Sequence, residues 1–537
     1  MSSTEATEVK PKEGFSSRKV FIFAAIGSAV GLGNIWRFPY VAYEGGGGAF
    51  IIPYLCALLF AGIPLLYLDY AIGHRYRGSA PLSLRRLGRG AEWLGWWMVL
   101  ICVIIAIYYA SILAWASKYA VLSFSKGWGE DPETYFMHDY LHRAKVPGPT
   151  MDFVPEITWT MVIVWVVTIG VLALGVQTGI GRTAVVFIPV LVLAFIVLVI
   201  QALTLDGAME GLNAFFTPDW GALTDGAVWI SAVGQIFFSL SVGFGIMITY
   251  ASYVGRKTDM TGSGAVVAFS NSGFELLAGI GVFAALGFMA TTAGTSVGEV
   301  LGSGGIGLAF IAFPTIINEA PGGVIIGVLF FVSLLLAGIT SLISIVEVII
   351  GAVRDKVGIS RLAATFVVGV PIAVVSILMF STTGGLYVLD TMDAFVNSFG
   401  IIAVAAVMML AVTYVFRKLP VLREHLDARS SVKLKGWWPA LVAVVVPILL
   451  IVMLWQALRD KLAAPYEGYP ADLLNVFGWG MVIALPIIAI VLSSATRPSG
   501  LSAASFARPK PNRQISVATG KIRNPAKNRN VKADAVP

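Results

Sequence analysis

The residues of this chain that could do chemistry sit inside apolar runs. Two such runs are interrupted by glycines at corresponding places, Gly27-Ser-Ala-Val-Gly-Leu-Gly-Asn34 and Ser239-Leu-Ser-Val-Gly-Phe-Gly245. Glycine lowers helix propensity by about 1 kcal/mol relative to alanine, so these clusters mark points where a helix opens and leaves backbone groups free. Within lipid that is tolerable only beside a cavity or an ion. Close packing through small residues explains many membrane glycines, but here polar side chains accompany both interruptions. Paired breaks in the two halves of a chain point to a binding site near the bilayer midplane, between two structural repeats.

The chemistry on offer is binding rather than bond making. The four histidines, His74, His138, His142 and His425, fall in predicted loops, and neither an HExxH nor a nucleophile-elbow pattern occurs, so an intramembrane enzyme is not supported. Ala337, Thr340 and Ser341 share one helical face by their spacing, and Asn271 and Glu275, four residues apart, share another. Arg37, Asp393 and Glu347 are ionisable residues within apolar runs, where charge is costly and functional by default. Glu347, two turns below Thr340, reads either as a proton or gate group or, more simply, as an acid that reaches a polar partner.

The elements that must position these residues are membrane helices. Of 537 residues, 57% are hydrophobic and 12% charged, too little polar surface for a water-soluble chain of this size. Twelve runs of the length a helix needs to cross the hydrocarbon lie near 19–42, 48–73, 94–117, 158–175, 183–204, 227–255, 262–290, 323–353, 362–380, 387–416, 437–457 and 473–496. They are too long and continuous for barrel strands, which gives an all-α integral membrane protein. With both termini cytoplasmic, most of the 37 Lys and Arg residues fall inside, and 205–226, 291–322 and 381–386 carry none. No cleavable signal is apparent. Residues 1–18 read as a cytoplasmic segment and 497–537 as a basic, disordered cytoplasmic tail, a topology anchor or a contact for anionic lipid. Cys56 and Cys102 read as small hydrophobes, with no disulfide. The absence of any Asn-Xaa-Ser/Thr sequon fits the plasma membrane of a prokaryote.

The string Gly27 to Tyr40 (GSAVGLGNIWRFPY), followed by Glu44-Gly-Gly-Gly-Gly-Ala-Phe50, resembles the first-helix signature of the neurotransmitter:sodium symporters. Gln235 to Gly245 (QIFFSLSVGFG) and Ala337-Gly-Ile-Thr-Ser341 are similar to that family's sixth- and eighth-helix motifs, and the likeness runs in order from Lys12 to Asp393. The resemblance implies a core of two inverted repeats, 19–204 and 227–418, with the first and sixth helices broken, and two further helices in 437–496. It also implies two sodium ions. The first would be bound by the Ala29 carbonyl, the Asn34 and Asn271 amides, Ser239 and the substrate carboxylate. The second would take the carbonyls of Gly27, Val30 and Ala337 and the hydroxyls of Thr340 and Ser341. Such hard oxygen ligands suit sodium.

The same likeness gives the substrate site. Gly31 stands where monoamine carriers of the family have an aspartate, so the substrate should bring its own carboxylate, to amides at Leu32 and Gly33 and to Tyr109. Its amine would meet carbonyls of Ala29, Phe238 and Ser239 and the Ser241 hydroxyl. Ile105, Phe238, Phe244, Ser341 and Ile345 would line a nearly apolar pocket suited to an aliphatic side chain of modest size. Tyr108 reads as a core or interfacial residue. Arg37 and Asp393 match the outer gate, and Lys12, Phe15, Ser252, Tyr253 and Asp355 the inner one. Glu275 stands where chloride-dependent members have a serine, beside Tyr54, Gln235, Ser239 and Asn271, so its carboxylate is expected to replace chloride. The expectation is a chloride-independent, sodium-coupled importer of a neutral α-amino acid, with the lipid bilayer and no nucleic acid as partner. A carboxylate-bearing osmolyte, a GABA-like substrate or proton coupling on the same fold are the alternatives. Sequence leaves the particular amino acid, proton counter-transport and the oligomeric state open.

Overall fold

The computed structural model describes residues 14–302 and 305–495, and within them the chain is helical, with only two isolated backbone bridges, Gly47 to Pro218 and Phe153 to Thr382. Lys12 and the 497–537 tail lie outside the described residues. Ten helices are each long and apolar enough to cross a membrane: α2 (Gly48–Tyr76), α3 (Arg89–Leu122), α4 (Pro155–Ala173), α5 (Val176–Leu203), α7 (Met260–Ala293), α8 (Gly323–Val357), α9 (Arg361–Phe380), α10 (Gly385–Val415), α11 (Trp437–Gly468) and α12 (Ala471–Ser494). α1a (Arg18–Ala29) and α1b (Leu32–Glu44) meet the same length and hydropathy test only together, bent by 55° at their junction. The run expected at 227–255 folds as α6a (Gly226–Ser239) and α6b (Ile246–Ser252) around an irregular stretch, 240–245.

Local signals account for many of the ends. Ser17, Asp225, Asp259 and Ser360 each accept a backbone N–H of the first turn that follows, at α1a, α6a, α7 and α9. Gly294 and Gly358 end α7 and α8 in the left-handed conformation. Three of the histidine placements are corrected, and His138 is one of them, in the short helical segment Tyr135–Tyr140. α2 continues past its apolar run to Tyr76 and turns off at left-handed Arg77, so His74 belongs to its last turn; His425 lies in a short helix, Leu419–Asp427. A polar last turn is stable once it leaves the hydrocarbon, which is why hydropathy places the end of α2 too early. The 291–322 connection likewise contains a helix, Gly305–Glu319.

The broken helices occupy the centre. α1a packs on α5, α7 and α8; α1b lies against α6a and α7; α6b lies between α2 and α8; and α8 runs along α3. In α3, 83% of the most apolar window is buried, against 17% in α12. The peripheral helices present Trp159, Leu193, Val367 and Ile483, all at least 60% exposed, as lipid-facing helices do.

Candidate functional site

A helix that stops leaves its last carbonyls without intrahelical partners, and the break in α1 shows where they go. Val30 and Gly31 are extended, and Gly31 donates its N–H to the Asn34 side chain at 2.9 Å, so the second half-helix is capped by its own third residue. The freed Ser28 carbonyl accepts from the hydroxyls of Ser241, at 2.9 Å, and Ser341, at 3.3 Å. Ser341 Oγ also lies 3.5 Å from the Gly27 carbonyl and 3.4 Å from that of Val30. Thr340, beside it, donates to the Ala337 carbonyl at 2.9 Å, which leaves its oxygen lone pairs available.

The break in α6 is held from its neighbours. Ser241 is left-handed (φ +52°), as are Gly243 (+85°) and Gly245 (+94°), which a continuous helix cannot contain. Gly243 donates its N–H to the Asp69 carboxyl of α2 at 3.0 Å, and the Cys102 thiol of α3 donates to the Phe244 carbonyl at 3.3 Å. Ser241, expected against a substrate amine, is a latch between the two breaks in this arrangement.

A chain of buried polar side chains joins α1b, α6a and α7. Asn34 Nδ2 donates to Asn271 Oδ1 at 2.9 Å, and Asn271 Nδ2 donates to Ser239 Oγ at 3.1 Å; all three residues are at most 1% exposed. One turn along α7, fully buried Glu275 accepts from the Tyr54 hydroxyl and, at 2.6 Å, from the Gln235 amide. The structure thus brings together the six side chains that the sequence groups around the first ion and the anion position, Asn34, Asn271, Ser239, Glu275, Tyr54 and Gln235.

The place assigned to a substrate carboxylate has a physical outline. A methyl group on Gly31 would stand 3.1 Å from Ser341 Oγ and 3.4 Å from Tyr109 Oη, and Tyr109 Oη accepts the Leu32 N–H at 3.4 Å. Gly33 faces the Phe238 ring so closely that a Cβ would come within 2.1 Å of it. Only glycine permits that approach. Ile105, Phe244 and Ile345 are 6% exposed or less.

The two residue sets expected to act as gates differ. Among the described residues no ion pair joins Arg37 to Asp393: the Arg37 guanidinium lies over the Phe238 ring, 4.8 Å from its centroid, while Asp393 accepts from the Tyr108 hydroxyl at 2.6 Å and the Asn397 amide at 2.9 Å. Above Arg37 and Phe238 a cavity of about 360 Å³ opens toward Gln456, Asp460 and Lys461 of α11. At the other end Phe15 packs on Tyr250 and Tyr253, and its N–H donates to the Tyr253 carbonyl at 3.2 Å. Tyr253 donates its hydroxyl to Glu347 at 2.6 Å, and Glu347 forms a two-point ion pair with Arg361 of α9, at 3.0 and 2.7 Å. Glu347 therefore has the polar partner that its position asks for. Asp355 accepts the Ser79 N–H at 2.8 Å, and Ser252 donates within its own helix.

Several of these residues escape a motif reading. Tyr108 binds Asp393 although it adjoins Tyr109, because successive helical residues face different neighbours. Asp69 carried a signal, being an acid within an apolar run. The pairing of Arg361 with Glu347 carried none, since it depends on how α8 and α9 pack.

The sodium:neurotransmitter symporter family model matches residues 12–137 and 128–497. An uncharacterized sodium-dependent transporter of Methanocaldococcus jannaschii is 40% identical over 90% of this chain and 97% of its own length. The sodium- and chloride-dependent glycine transporter 2 of Xenopus laevis is 27% identical over 91% of this chain and 70% of its own length. Among solved structures, that of MhsT in complex with L-phenylalanine superposes with a TM-score of 0.70 at 31% identity, covering 83% of this chain and all of MhsT.

Proposed function

The chain belongs to the sodium:neurotransmitter symporter family, so it is a multi-pass membrane transporter and not an enzyme, and we propose that it imports a neutral, apolar α-amino acid with two sodium ions. The observation that carries this reading is the convergence of two broken helices on one buried set of oxygens. Asn34, Asn271 and Ser239 form a chain on one side, and Ser341 lies within 3.5 Å of the Gly27 and Val30 carbonyls on the other. The first set would hold the sodium that touches the substrate carboxylate. Thr340, Ser341 and the carbonyls of Gly27, Val30 and Ala337 would hold the second.

The carboxylate would lie between the α1b amides and Tyr109, where the half-helix N-terminus favours an anion. Gly31 leaves that space free. Ile105, Phe238, Phe244 and Ile345 supply an apolar wall without charge, which excludes basic and acidic side chains. MhsT was solved with L-phenylalanine; we assign this pocket to aliphatic side chains because both isoleucines are branched and their residues nearly fully buried. Alternating access would proceed by moving α1 and α6 against the scaffold of α3 and α8, as paired broken helices at a midplane site do. Glu275, held by Tyr54 and Gln235, would offset sodium charge without chloride. We place both termini on the cytoplasmic side of twelve crossings, with α6a and α6b together as the sixth.

Uptake of labelled leucine into proteoliposomes tests the reading, with external sodium replaced by choline and chloride by gluconate. Uptake that stops with choline, persists with gluconate and grows under an inside-negative potential is expected, since each net charge gains about 2.3 kcal/mol per 100 mV. Sodium-independent uptake removes the mechanism, and chloride-dependent uptake removes the role of Glu275. A panel competing leucine with alanine, valine and phenylalanine defines the size of the pocket.

A further inference from the structure

At the basic end of the bundle, four guanidiniums crowd two imidazoles. Arg75 and Arg77 end α2, Arg256 lies in the turn from α6b to α7, and Arg429 lies in the connection from α10 to α11. Arg77, Arg256 and Arg429 act electrostatically on His74, and Arg75 and Arg77 on His425. His74 Nδ1 and His425 Nε2 are 2.9 Å apart, and His74 Nε2 is 3.0 Å from the Gly255 carbonyl oxygen. The proton positions follow. A carbonyl only accepts, so neutral His74 carries its proton on Nε2; its bare Nδ1 then accepts from the Nε2–H of His425. That leaves His425 Nδ1 as a bare nitrogen, buried and without a partner.

Arg77 donates to the Val254 carbonyl, but other neighbouring donors are free. Arg75 Nε is buried without a hydrogen bond, and among the described residues neither Arg256 nor Arg429 has a carboxylate within 4.0 Å. A cleft of about 10 Å³ is lined by His74, Arg256, Thr258, His425, Arg429 and Ser430. It has room for a group the size of one water or one anionic oxygen. Trp437, 39% exposed, begins α11 shortly after Arg429, and an indole at that level marks the boundary between headgroups and hydrocarbon.

We infer that this cleft takes one oxygen of the phosphate of an anionic membrane lipid, the rest of the headgroup staying outside it, with Arg256 and Arg429 as charged donors and Thr258 and Ser430 as hydroxyl donors. Guanidiniums and hydroxyls around one oxygen are what a phosphate requires, and the lipid is favoured over a soluble anion because the nearby exposed indole of Trp437 is of the kind that sits at the headgroup boundary. His425 completes the set by taking up a proton from solvent at Nδ1, which then donates to the phosphate. The charged groups that act on it, Arg75 and Arg77 of α2, are positive; Glu424 and Asp427 share its short helix but are not among the groups that act on it, so the proton arrives with the anion. Lipid binding should therefore tighten as pH falls. Because the cleft joins α2, the end of α6b and the α10–α11 connection, a bound headgroup clips this end of the bundle shut.

The test uses the full-length protein in phosphatidylcholine nanodiscs, with phosphatidylglycerol added in steps and bound lipid counted by native mass spectrometry. Arg256→Gln with Arg429→Gln is expected to weaken phosphatidylglycerol binding about 30-fold, at roughly fivefold per arginine. Arg89→Gln with Arg182→Gln, which removes the same charge from two exposed residues elsewhere, should leave it unchanged. The single variant Arg256→Gln, at an exposed residue, gives the same direction should the double variant fail to fold. The gain in affinity between pH 8 and pH 6 should disappear in His425→Gln. Equal losses in the two double variants would reduce the effect to diffuse charge and overturn the site. Competition by millimolar inorganic phosphate that displaces the lipid from the wild type would assign the cleft to a soluble anion instead, and binding independent of pH in the wild type would remove His425 from it.

Discussion

The two ends of this bundle are built from similar residues and held differently. At the end that opens onto the cavity, Arg37 and Asp393 stand apart, each satisfied by another group: the Phe238 ring for one, Tyr108 and Asn397 for the other. At the basic end Glu347 is locked to Arg361 by two hydrogen bonds and to Tyr253 by a third, and Phe15 plugs the aromatic cluster around Tyr250 and Tyr253. A gate with its charges apart can close without first breaking a buried ion pair. A gate with its charges joined must break one to open. The cavity end is therefore the looser of the two and the basic end the tighter, and in the transport reading proposed above they are the open and the shut end.

The largest effect should come from the joined end. Arg361→Ala leaves the Glu347 carboxylate buried without its cation, and losing one partner of a buried pair typically costs about 3–5 kcal/mol. The variant should melt well below the wild type, and a cysteine introduced at Ser252 should be alkylated faster. Unchanged melting and labelling would show that the pair holds nothing closed. At the cavity end the expected effect is smaller. Tyr108→Phe removes a hydrogen bond to a carboxylate, worth about 1.5–3 kcal/mol where fully formed. Bound amino acid should then dissociate roughly tenfold faster or more, with a fall in melting temperature smaller than that of Arg361→Ala; equal release rates would take Tyr108 out of the gate.

The smallest effect is in pH. Burial, then His74, Arg75 and Arg77, push the His425 imidazole down to about 3. Below its ordinary value of about 6.5 the unfolded chain therefore binds a proton that the folded chain refuses. This contribution to stability is complete above that pH and is lost as pH falls toward 3. In neutral lipid the melting difference between the wild type and His425→Gln should emerge only within that window. A difference that is constant from pH 8 to pH 4 would contradict it.

What the sequence revealed divides along the same line. Both breaks, the polar set around Asn34, Asn271, Ser239 and Glu275, and the hydroxyl pair on α8 were legible because they reside in short motifs with a fixed helical period. The run carrying α6a and α6b was also visible, since glycine and serine mark where a helix opens. The ties at the ends were not. Glu347 was visible as a costly acid, but its cation belongs to another helix, and Tyr108 was masked by a neighbour with a stronger motif. The extension of α2 to His74 was hidden because hydropathy registers where the hydrocarbon ends, not where hydrogen bonding does. Spacing along one helix is written in the sequence; the choice of partner between helices depends on packing.

The central claim is that the two breaks form one site in which a sodium ion and the substrate carboxylate touch. Equilibrium binding of labelled leucine to the purified protein, titrated across sodium concentrations, with sodium binding titrated in turn across leucine, tests it most directly. Contact makes the coupling reciprocal, so sodium should raise leucine affinity and leucine should raise sodium affinity by the same factor. The Asn271→Ala variant should lose most of that factor. Leucine binding that is indifferent to sodium, or coupling that survives undiminished in Asn271→Ala, would contradict the account.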